Sequence, residues 1–397
     1  MPNIGKSSQS AWQDSSRIEM RVLHIAEKVE GASGVATFVR SLDAALRRKG
    51  VESGILLRGG ALPGSFAGVC DIVHIHGLWL RFFHEAARRA FASGVPLVWS
   101  THGMTAPWSL RHKGWKKLPA WWLYQRGDLL RAAAVHCTTR QEAAWNARLG
   151  LKRCFVAPLG TAEIDRAPSL ASASPLSPAS PSPRADRILL FVGRLYPVKA
   201  LPNLLKAWRI AMDALAARAA GRLPPSTPRE MWRLRLVGPD EAGHRAELER
   251  LVRRLRLEDS VEFAGPLFGD ALSAEYERCD CLVLPSHTEN FGATVADALA
   301  HSKPCIASTN TPWEELPERG CGWWTSNDPP ALAAAILDMV SAGDVRRREM
   351  GARGQALVRE KYSWPAVADK MAAEYASLLD ARQRLTAPLA EQYANLN

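Results

Sequence analysis

Apolar residues recur along the chain as short runs that alternate with segments of helical spacing. The first run, RVLHIA, follows Met20, and the segment VATFVRSLDAALRRKG after it carries its apolar residues at helical intervals. Further strands are predicted for VESGILL, for residues 71–75 and for residues 96–100, with helices such as FFHEAARRAFASG between them. This alternation predicts an α/β domain with a doubly wound parallel sheet, which binds ligands at the carboxyl ends of its strands.

A second alternating series follows, with the runs RILLFVG, WRLRLVG, VEFAG, CLVLPS and PCIAS. Between the two series lies a tract rich in Ser, Pro and Ala, which cannot bury a core and predicts an extended linker. We therefore predict a disordered tail over 1–19, a first domain over 20–166, a linker over 167–185, a second domain over 186–363 and a C-terminal helix over 364–397.

The composition is that of a soluble globular protein, with 47% hydrophobic and 23% charged residues. No apolar run approaches the roughly 20 residues that span a bilayer, and the first nineteen residues lack the apolar stretch of a secretory signal. These features predict a cytoplasmic protein without a membrane-spanning segment. The net charge of +11 favours polyanionic partners, which could be nucleic acid, anionic lipid or phosphorylated substrates.

Two loops carry residues suited to phosphate. Gly31 and Gly34 precede a helix and would let backbone amides approach an anion, although a plain strand-to-helix turn fits equally and the G-x-G-x-x-G pattern of dehydrogenases is absent. Arg194 and Lys199 directly follow the strand RILLFVG, where two cations suit a diphosphate. The alternative for this pair is a solvated basic turn.

A third loop combines two carboxylates with the start of a helix. In PSHTENFGATVADALA, Glu289 precedes a helix predicted to begin near Gly292, and Asp297 lies about one and a half turns inside it. The two acids could bind hydroxyl groups of one ligand while the helix N-terminus faces its phosphates. An acid near the N-cap and an unrelated surface acid are the alternative.

The motifs GRL-x-x-x-K, LVGPD and PS-x-x-E-N-F-G, with an acid eight residues further on, resemble the family 4 retaining glycosyltransferases, or group 1 glycosyltransferases. DIVHIHGLW, THGMTAPW and PLG match in the first half, and TPWEELPERGCGWW resembles a bacterial subset that builds surface polysaccharides. The resemblance implies the GT-B fold, in which two Rossmann-like domains face each other across a cleft. It further implies an N-terminal acceptor-binding domain, a C-terminal nucleotide-sugar-binding domain and a last helix that crosses back to the first domain.

The resemblance also implies roles for individual residues. Arg194 and Lys199 would hold the donor diphosphate, Glu289 would bind hydroxyls of the donor sugar, and Asp297 would bind the ribose. His102 would lie beside the reacting sugar, so His102, Glu289, Arg194 and Lys199 form the expected catalytic set. The rest of the donor site would comprise Gly34, Asn290, Phe291 and Gly292.

Two positions depart from the family pattern. Asp297 stands where the family usually has Glu, and its carboxylate would lie about 1.5 Å further from a ribose, so nucleotide binding could be weaker or bridged by water. Ser302 stands where a glycine usually ends the helix, and at a left-handed cap it would cost about 1 kcal/mol relative to glycine.

The implied chemistry requires no metal and no cofactor beyond the nucleotide-sugar co-substrate. The donor's own diphosphate leaves and accepts the proton of the acceptor on the same face of the sugar, while the cations and the helix N-terminus stabilise its charge. His74, His76, His102 and His112 are expected in the core or on separate loops and not around zinc. The expected partners are a nucleotide-sugar donor and a glycan or lipid-linked acceptor.

Two other functions are compatible with the same residues. The site could have lost turnover through Asp297 or His301 and Ser302 and serve as a nucleotide-sugar-binding scaffold of a polysaccharide assembly complex. An epimerase of the same fold would share the donor site, but the HGM and TPW segments do not favour it.

The segment PWSLRHKGWKKLPAWWLYQR mixes Lys and Arg with tryptophans. This composition suits an anionic membrane surface, and it would place the protein at the inner face of the cell membrane. The alternative is an amphipathic helix whose tryptophans fill the core. We expect no nucleic-acid partner, because no recognised nucleic-acid-binding motif accompanies the basic residues.

Overall fold

The computed structural model describes residues 20–29, 34–111, 114–161, 186–222 and 231–394. The predicted tail 1–19 and linker 167–185 lie outside the described residues, as do residues 31–33 of the glycine loop and His112. The described chain forms two six-stranded parallel sheets with helices between the strands. This confirms the prediction of two doubly wound α/β sheets.

The first sheet has the order β2-β1-β3-β4-β5-β6. Its strands are β1 (Arg21–Ala26), β2 (Glu52–Leu57), β3 (Ile72–His76), β4 (Leu97–Ser100), β5 (Ala134–Cys137) and β6 (Cys154–Val156). Strand β1 pairs in parallel with both β2 and β3. The chain thus changes its direction of strand addition after β2, and the carboxyl ends of β1 and β3 form a topological switch point.

The helices of this half are α1 (Gly34–Arg48), α2 (Arg81–Ala92), α3 (Pro107–Arg111), α4 (Gly114–Ala120), α5 (Arg126–Arg131) and α6 (Arg140–Arg148). A π-helical turn, Trp121–Gln125, joins α4 to α5. Helix α1 buries Phe38, Leu42 and Leu46, which are spaced four residues apart and so share one face.

The second sheet has the order β12-β11-β10-β7-β8-β9. Its strands are β7 (Asp186–Val192), β8 (Met231–Val237), β9 (Val261–Gly265), β10 (Cys281–Leu284), β11 (Cys305–Ser308) and β12 (Gly322–Thr325). The apolar runs of β7 and β10 are buried, as a strand covered on both faces requires. Strand β7 pairs in parallel with β8 on one side and with β10 on the other. The switch point therefore lies at the carboxyl ends of β7 and β10.

The helices of the second half are α7 (Leu201–Arg222), α8 (His244–Leu255), α9 (Gly269–Arg278), α10 (Ala293–Ala300), α11 (Glu315–Glu318), α12 (Pro329–Ser341), α13 (Gly343–Lys361) and α14 (Trp364–Ala394). A short 3-10 turn, Pro197–Lys199, precedes α7. Helix α10 begins directly after Gly292, as the sequence predicts, and Asp297 is its fifth residue.

The chain divides into two compact units. The first comprises Met1–Ser100, Trp115–Val135 and Ala368–Asn397, and the second comprises Thr101–Gly114 and His136–Val367. Within the first unit, Tyr375 of α14 lies 2.6 Å from His74 Nδ1 through its hydroxyl, and Lys49 pairs with Asp369 at 2.7 Å. The domain limits drawn from the sequence, 20–166, 186–363 and 364–397, stay predictions.

The end of α10 has the backbone conformation expected from its sequence. Ser302, the second residue after the helix, has φ 57°, in the left-handed region that favours glycine. The predicted left-handed cap is confirmed.

We expect Ser302→Gly to raise the free energy of unfolding by about 0.5–1 kcal/mol, because glycine adopts positive φ without a clash of Cβ. Chemical denaturation measures the change. Ser377, exposed within α14, provides the control, and Ser377→Gly should lower the free energy of unfolding by up to about 0.5 kcal/mol. Equal effects of the two substitutions would contradict the assignment of the cap.

Candidate active site

Residues from two of the predicted loops, together with His102, line one cavity of about 470 Å³ in the second unit. The loop after β7 contributes Arg194 and Lys199, and the loop after β10 contributes Glu289 and Asn290. His102 lines the same cavity. The parallel pairing of β7 with β10 explains why residues about ninety positions apart meet, because both strands end at the same edge of the sheet.

A short ion pair joins the loops after β7 and β10. Lys199 Nζ donates to Glu289 Oε1 at 2.5 Å, and Ser286 Oγ donates to the same oxygen at 2.6 Å. Glu289 Oε2 takes part in neither bond. The backbone N–H of His287 donates to the carbonyl of Val198 at 2.8 Å, so the two loops are also tied through their main chains. Only about 15% of each side chain of the ion pair is exposed, which limits its screening by solvent.

The second cation of the cavity has a more exposed partner. Arg194 Nη1 donates to Glu241 Oε2 at 2.5 Å, and the Arg194 guanidinium lies 5.8 Å from the centre of the Tyr196 ring. Sequence reasoning missed Glu241, although it directly follows the motif LVGPD after β8, the neighbour of β7. Exposed pairs contribute only about 0–1 kcal/mol, so the guanidinium can exchange this carboxylate for another anion at little cost.

The remaining predicted donor residues occupy other places. The Phe291 side chain is buried, with its ring centre 5.4 Å from that of Trp313, and its carbonyl accepts a hydrogen bond from Trp313 Nε1. Gly292 caps α10 with φ 78°. Neither of them, nor Asp297 in the second turn of α10, is among the residues that line the cavity. Gly34 begins α1 in the first unit.

His102 is half-buried and has a left-handed backbone, with φ 48°. Burial of the ring, and the neighbouring His136, lower the pKa of the His102 imidazole from 6.5 to about 3. The ring is therefore neutral at physiological pH. It can donate or accept a hydrogen bond in the cavity, but it contributes no positive charge to it.

Three other histidines form a buried cluster in the first unit. One nitrogen each of His24, His74 and His76 lies within 4.8 Å of the others, close enough to ligate one ion. His24 Nδ1 is 2.9 Å from His76 Nε2, while His74 is hydrogen-bonded to the Tyr375 hydroxyl and, at 2.7 Å, to Ser100 Oγ. These bonds explain how polar rings are accommodated in the core.

The neutral state of His102 predicts a pH dependence of stability. The unfolded chain takes up a proton at His102 near pH 6.5, whereas the folded chain does so only near pH 3. As the pH falls through this window, the free energy of unfolding of the wild-type protein should therefore drop relative to that of His102→Asn, by less than about 1.4 kcal/mol per pH unit.

Urea denaturation of both proteins between pH 7 and pH 5 measures this difference. Met104→Leu, a substitution in the lining of the same cavity, is the control, and its effect should not vary with pH. A difference between wild type and His102→Asn that stayed constant over this range would show that His102 is not held neutral.

Comparison with known protein families gives two matches on this chain. The family model described as "Glycosyl transferases group 1" matches residues 186–342, and "Glycosyl transferase 4-like domain" matches residues 67–160. Among curated proteins, the D-inositol 3-phosphate glycosyltransferase of Kineococcus radiotolerans is 33% identical over 202 residues, which cover 47% of this chain and 43% of that protein. The corresponding protein of Thermomonospora curvata is 30% identical, with coverage of 50% and 44%. The matched region thus spans less than half the length of these relatives.

Solved structures with the same fold cover nearly the whole chain. Sucrose-phosphate synthase from Thermosynechococcus elongatus superposes with a TM-score of 0.65 at 21% identity, covering 91% of this chain and 100% of that one. Anabaena HepE in complex with UDP superposes with a TM-score of 0.64 at 18% identity, covering 90% and 100%. At this identity the likeness shows the fold, which is GT-B. The chain therefore contains a group 1 glycosyltransferase domain over residues 186–342 and a glycosyltransferase 4-like domain over residues 67–160, as its motifs predict.

Proposed function

We propose that the protein is a retaining glycosyltransferase that moves a sugar from a nucleoside-diphosphate sugar to a glycan or lipid-linked acceptor in surface polysaccharide biosynthesis. One observation carries the proposal: Arg194, Lys199 and Glu289 line the same cavity at the switch point of the second sheet. Two cations and a carboxylate at such a point match the diphosphate and the hydroxyl groups of one donor.

The cations would bind the donor diphosphate. Arg194 would leave its exposed partner Glu241, and a guanidinium suits phosphate because its donors can bind two oxygens at once. Lys199 would face the diphosphate while it stays paired with Glu289, so the lysine is already ordered before the donor arrives. Gly292 and the N-terminus of α10 follow in the same loop and would add backbone dipoles near the phosphates.

The donor sugar would bind to the loop of Glu289 and Asn290. Lys199 and Ser286 both donate to Glu289 Oε1, which leaves Oε2 to accept from sugar hydroxyls. Asn290 Oδ1 is buried and has no hydrogen-bond donor among the residues that the structure describes. A sugar hydroxyl would satisfy it, as buried polar atoms generally require.

In the transfer step, the bond between the anomeric carbon and the β-phosphate oxygen breaks, and the acceptor oxygen bonds to the same carbon on the same face. The acceptor proton passes to a β-phosphate oxygen of the leaving nucleoside diphosphate. Arg194 and Lys199 would stabilise the charge that develops on this leaving group, and neutral His102 would offer a hydrogen bond without repelling them. Under this proposal no metal is required.

We expect Lys199→Met to weaken donor binding by about 10–100-fold, because a charge-assisted hydrogen bond contributes about 1.5–3 kcal/mol. Thermal unfolding with a panel of UDP, GDP and ADP sugars identifies the donor, since a ligand at 100 times its Kd adds about 2.7 kcal/mol of stability. UDP sugars come first, because the Anabaena neighbour is a complex with UDP. Titration of both proteins then gives the affinities.

Lys206→Met, on the exposed side of α7, is the matched control and should bind the donor as the wild type does. Equal effects of the two substitutions, or no stabilisation by any nucleotide sugar, would refute the proposed donor site. Release of nucleotide is then followed with water, lipid-linked glycans and D-inositol 3-phosphate as acceptors, the last because the curated relatives carry that name. Binding without release would identify a scaffold and not an enzyme.

We further propose that an apolar stripe on α4 and the π-helical turn binds the anionic inner face of the cell membrane. The stripe consists of Trp115, Leu118, Trp122 and Leu123, whose spacing places them on one side of the helical segment. Their exposed fractions are 74%, 58%, 71% and 80%. Such large apolar side chains, side by side in water, favour a partner surface.

The opposite side of this segment is anchored in the first unit. Gln125 Oε1 accepts from the backbone N–H of Trp79 at 2.8 Å, and Asp128, the one acid of residues 114–131, lies 2.8 Å from His84 Nδ1. Lys117 and Arg126 belong to the same segment, and the Arg126 guanidinium lies 5.8 Å from the Trp122 ring centre. Apolar side chains beside cations suit an anionic lipid surface. No helix of the described chain has both the length and the apolar character needed to cross a bilayer.

We expect the double substitution Trp122→Ser and Leu123→Ser to lower binding to vesicles that contain phosphatidylglycerol by at least about tenfold, since each buried side chain contributes about 1.5–3 kcal/mol. Flotation measures bound protein, and added salt should weaken the binding of the wild type. Phe268→Ser, also at an exposed aromatic side chain, is the control. Binding unaffected by the double substitution, or a wild-type protein that self-associates and does not float, would refute the proposal.

A further inference from the structure

Glu142 is a fully buried carboxylate at the third position of α6. Thr139 caps the helix through its hydroxyl, which accepts from the N–H of Glu142 at 3.1 Å. Glu142 Oε2 accepts from the N–H and the hydroxyl of Thr138 at 2.7 and 2.8 Å. In the sequence, Thr139 and Glu142 have the spacing of a capping box, but Oε2 accepts from Thr138, the residue before the N-cap.

The other oxygen binds the loop of His102. Oε1 of Glu142 accepts from Thr101 Oγ1 at 2.6 Å and from the backbone N–H of Gly103 at 2.5 Å, so the two donors flank His102 in the chain. His102 and Gly103 both have positive φ, 48° and 72°. A non-glycine residue keeps such a conformation only where its surroundings hold it, and these two bonds do so.

The same network reaches the loop of Glu289. Asn290 Nδ2 donates to Thr138 Oγ1 at 3.0 Å, and that hydroxyl in turn donates to Glu142. Asn290 also lies against Gly103, where a Cβ atom would come within 2.6 Å of Asn290 Cγ. Only glycine at 103 therefore allows the two loops to approach this closely.

We propose that Glu142 is a positioning residue that sets the distance between His102 and the loop of Glu289 and Asn290. Its two oxygens hold one loop each, Oε1 directly and Oε2 through Thr138. A carboxyl group is suited to this task because four donors converge on it and both of its oxygens can accept hydrogen bonds. The proposal rests on the function proposed above, in which the loop of Glu289 and Asn290 binds the donor sugar and His102 offers a hydrogen bond in the transfer step.

Glu142→Gln replaces one acceptor oxygen by an NH₂ group, which must face two donors whichever way the amide turns. We expect kcat for nucleotide release or transfer to fall about 10–100-fold, the scale of a displacement of about 1 Å in a catalytic group. The Kd for the nucleoside diphosphate alone should change less than about threefold, because Arg194 and Lys199 are not part of this network. Glu349→Gln, at an exposed acid of α13, is the control and should leave both values unchanged.

Thr138→Val is a second variant that distinguishes loss of positioning from loss of folding. It keeps the shape and the backbone N–H of residue 138 but removes the hydroxyl that receives Asn290. Deuterium exchange followed by mass spectrometry should show faster uptake in the peptide around Gly103 for Glu142→Gln. For Thr138→Val, the faster uptake should appear in the peptide around Asn290 and not around Gly103.

These readouts separate the inference from the function on which it rests. Unchanged exchange near Gly103 in Glu142→Gln would overturn the positioning role, as would a loss of kcat that matches the loss of folded protein. A wild-type chain that turned over no donor would refute the proposed function, and the exchange data would still decide whether Glu142 holds the two loops.

Discussion

The parallel pairing of β7 with β10 is the constraint on which the candidate site depends. Strands β8 and β9 extend the sheet on one side of β7, and β11 and β12 extend it beyond β10 on the other. The two loops that leave β7 and β10 therefore emerge side by side. Because both strands are buried and apolar, packing in the core fixes their register. The positions at which the two loops begin are therefore fixed as well. Lys199 and Glu289 meet for this reason and not because of their own attraction.

The two cations of the cavity each pair with a carboxylate, and the two ion pairs differ in strength. Lys199 and Glu289 are largely shielded from water and keep each other ordered, whereas Arg194 and Glu241 are exposed and their pair is weak. An incoming diphosphate would thus find one cation already in place and a second that is readily released. Neutral His102 adds no charge to this balance.

The strands could be predicted from the sequence, as could the shared position of Arg194, Lys199 and Glu289, because apolar runs and short motifs are local signals. RVLHIA and RILLFVG became β1 and β7, and the start of α10 after Gly292 was placed correctly. Glu142 was beyond such reasoning. Its spacing from Thr139 indicates a helix cap, while its contact with the His102 loop depends on residues about forty positions away. The exposure of Trp115 and Trp122 was equally hidden, since a helix pattern shows that apolar residues share a side but not which side faces the core.

The contrast between Glu142 and Glu289 shows how similar carboxylates acquire different tasks from their surroundings. Glu289 has a cation on one oxygen and borders a cavity, so it can exchange partners with a ligand. Glu142 has four neutral donors, no solvent exposure and the N-terminal dipole of α6 behind it, and each of its bonds is internal to the protein. A carboxylate whose oxygens already accept hydrogen bonds from backbone and hydroxyl groups cannot bind substrate. It can, however, hold in place the residues that bind substrate. The geometry of the site would then depend on a residue that does not line the cavity.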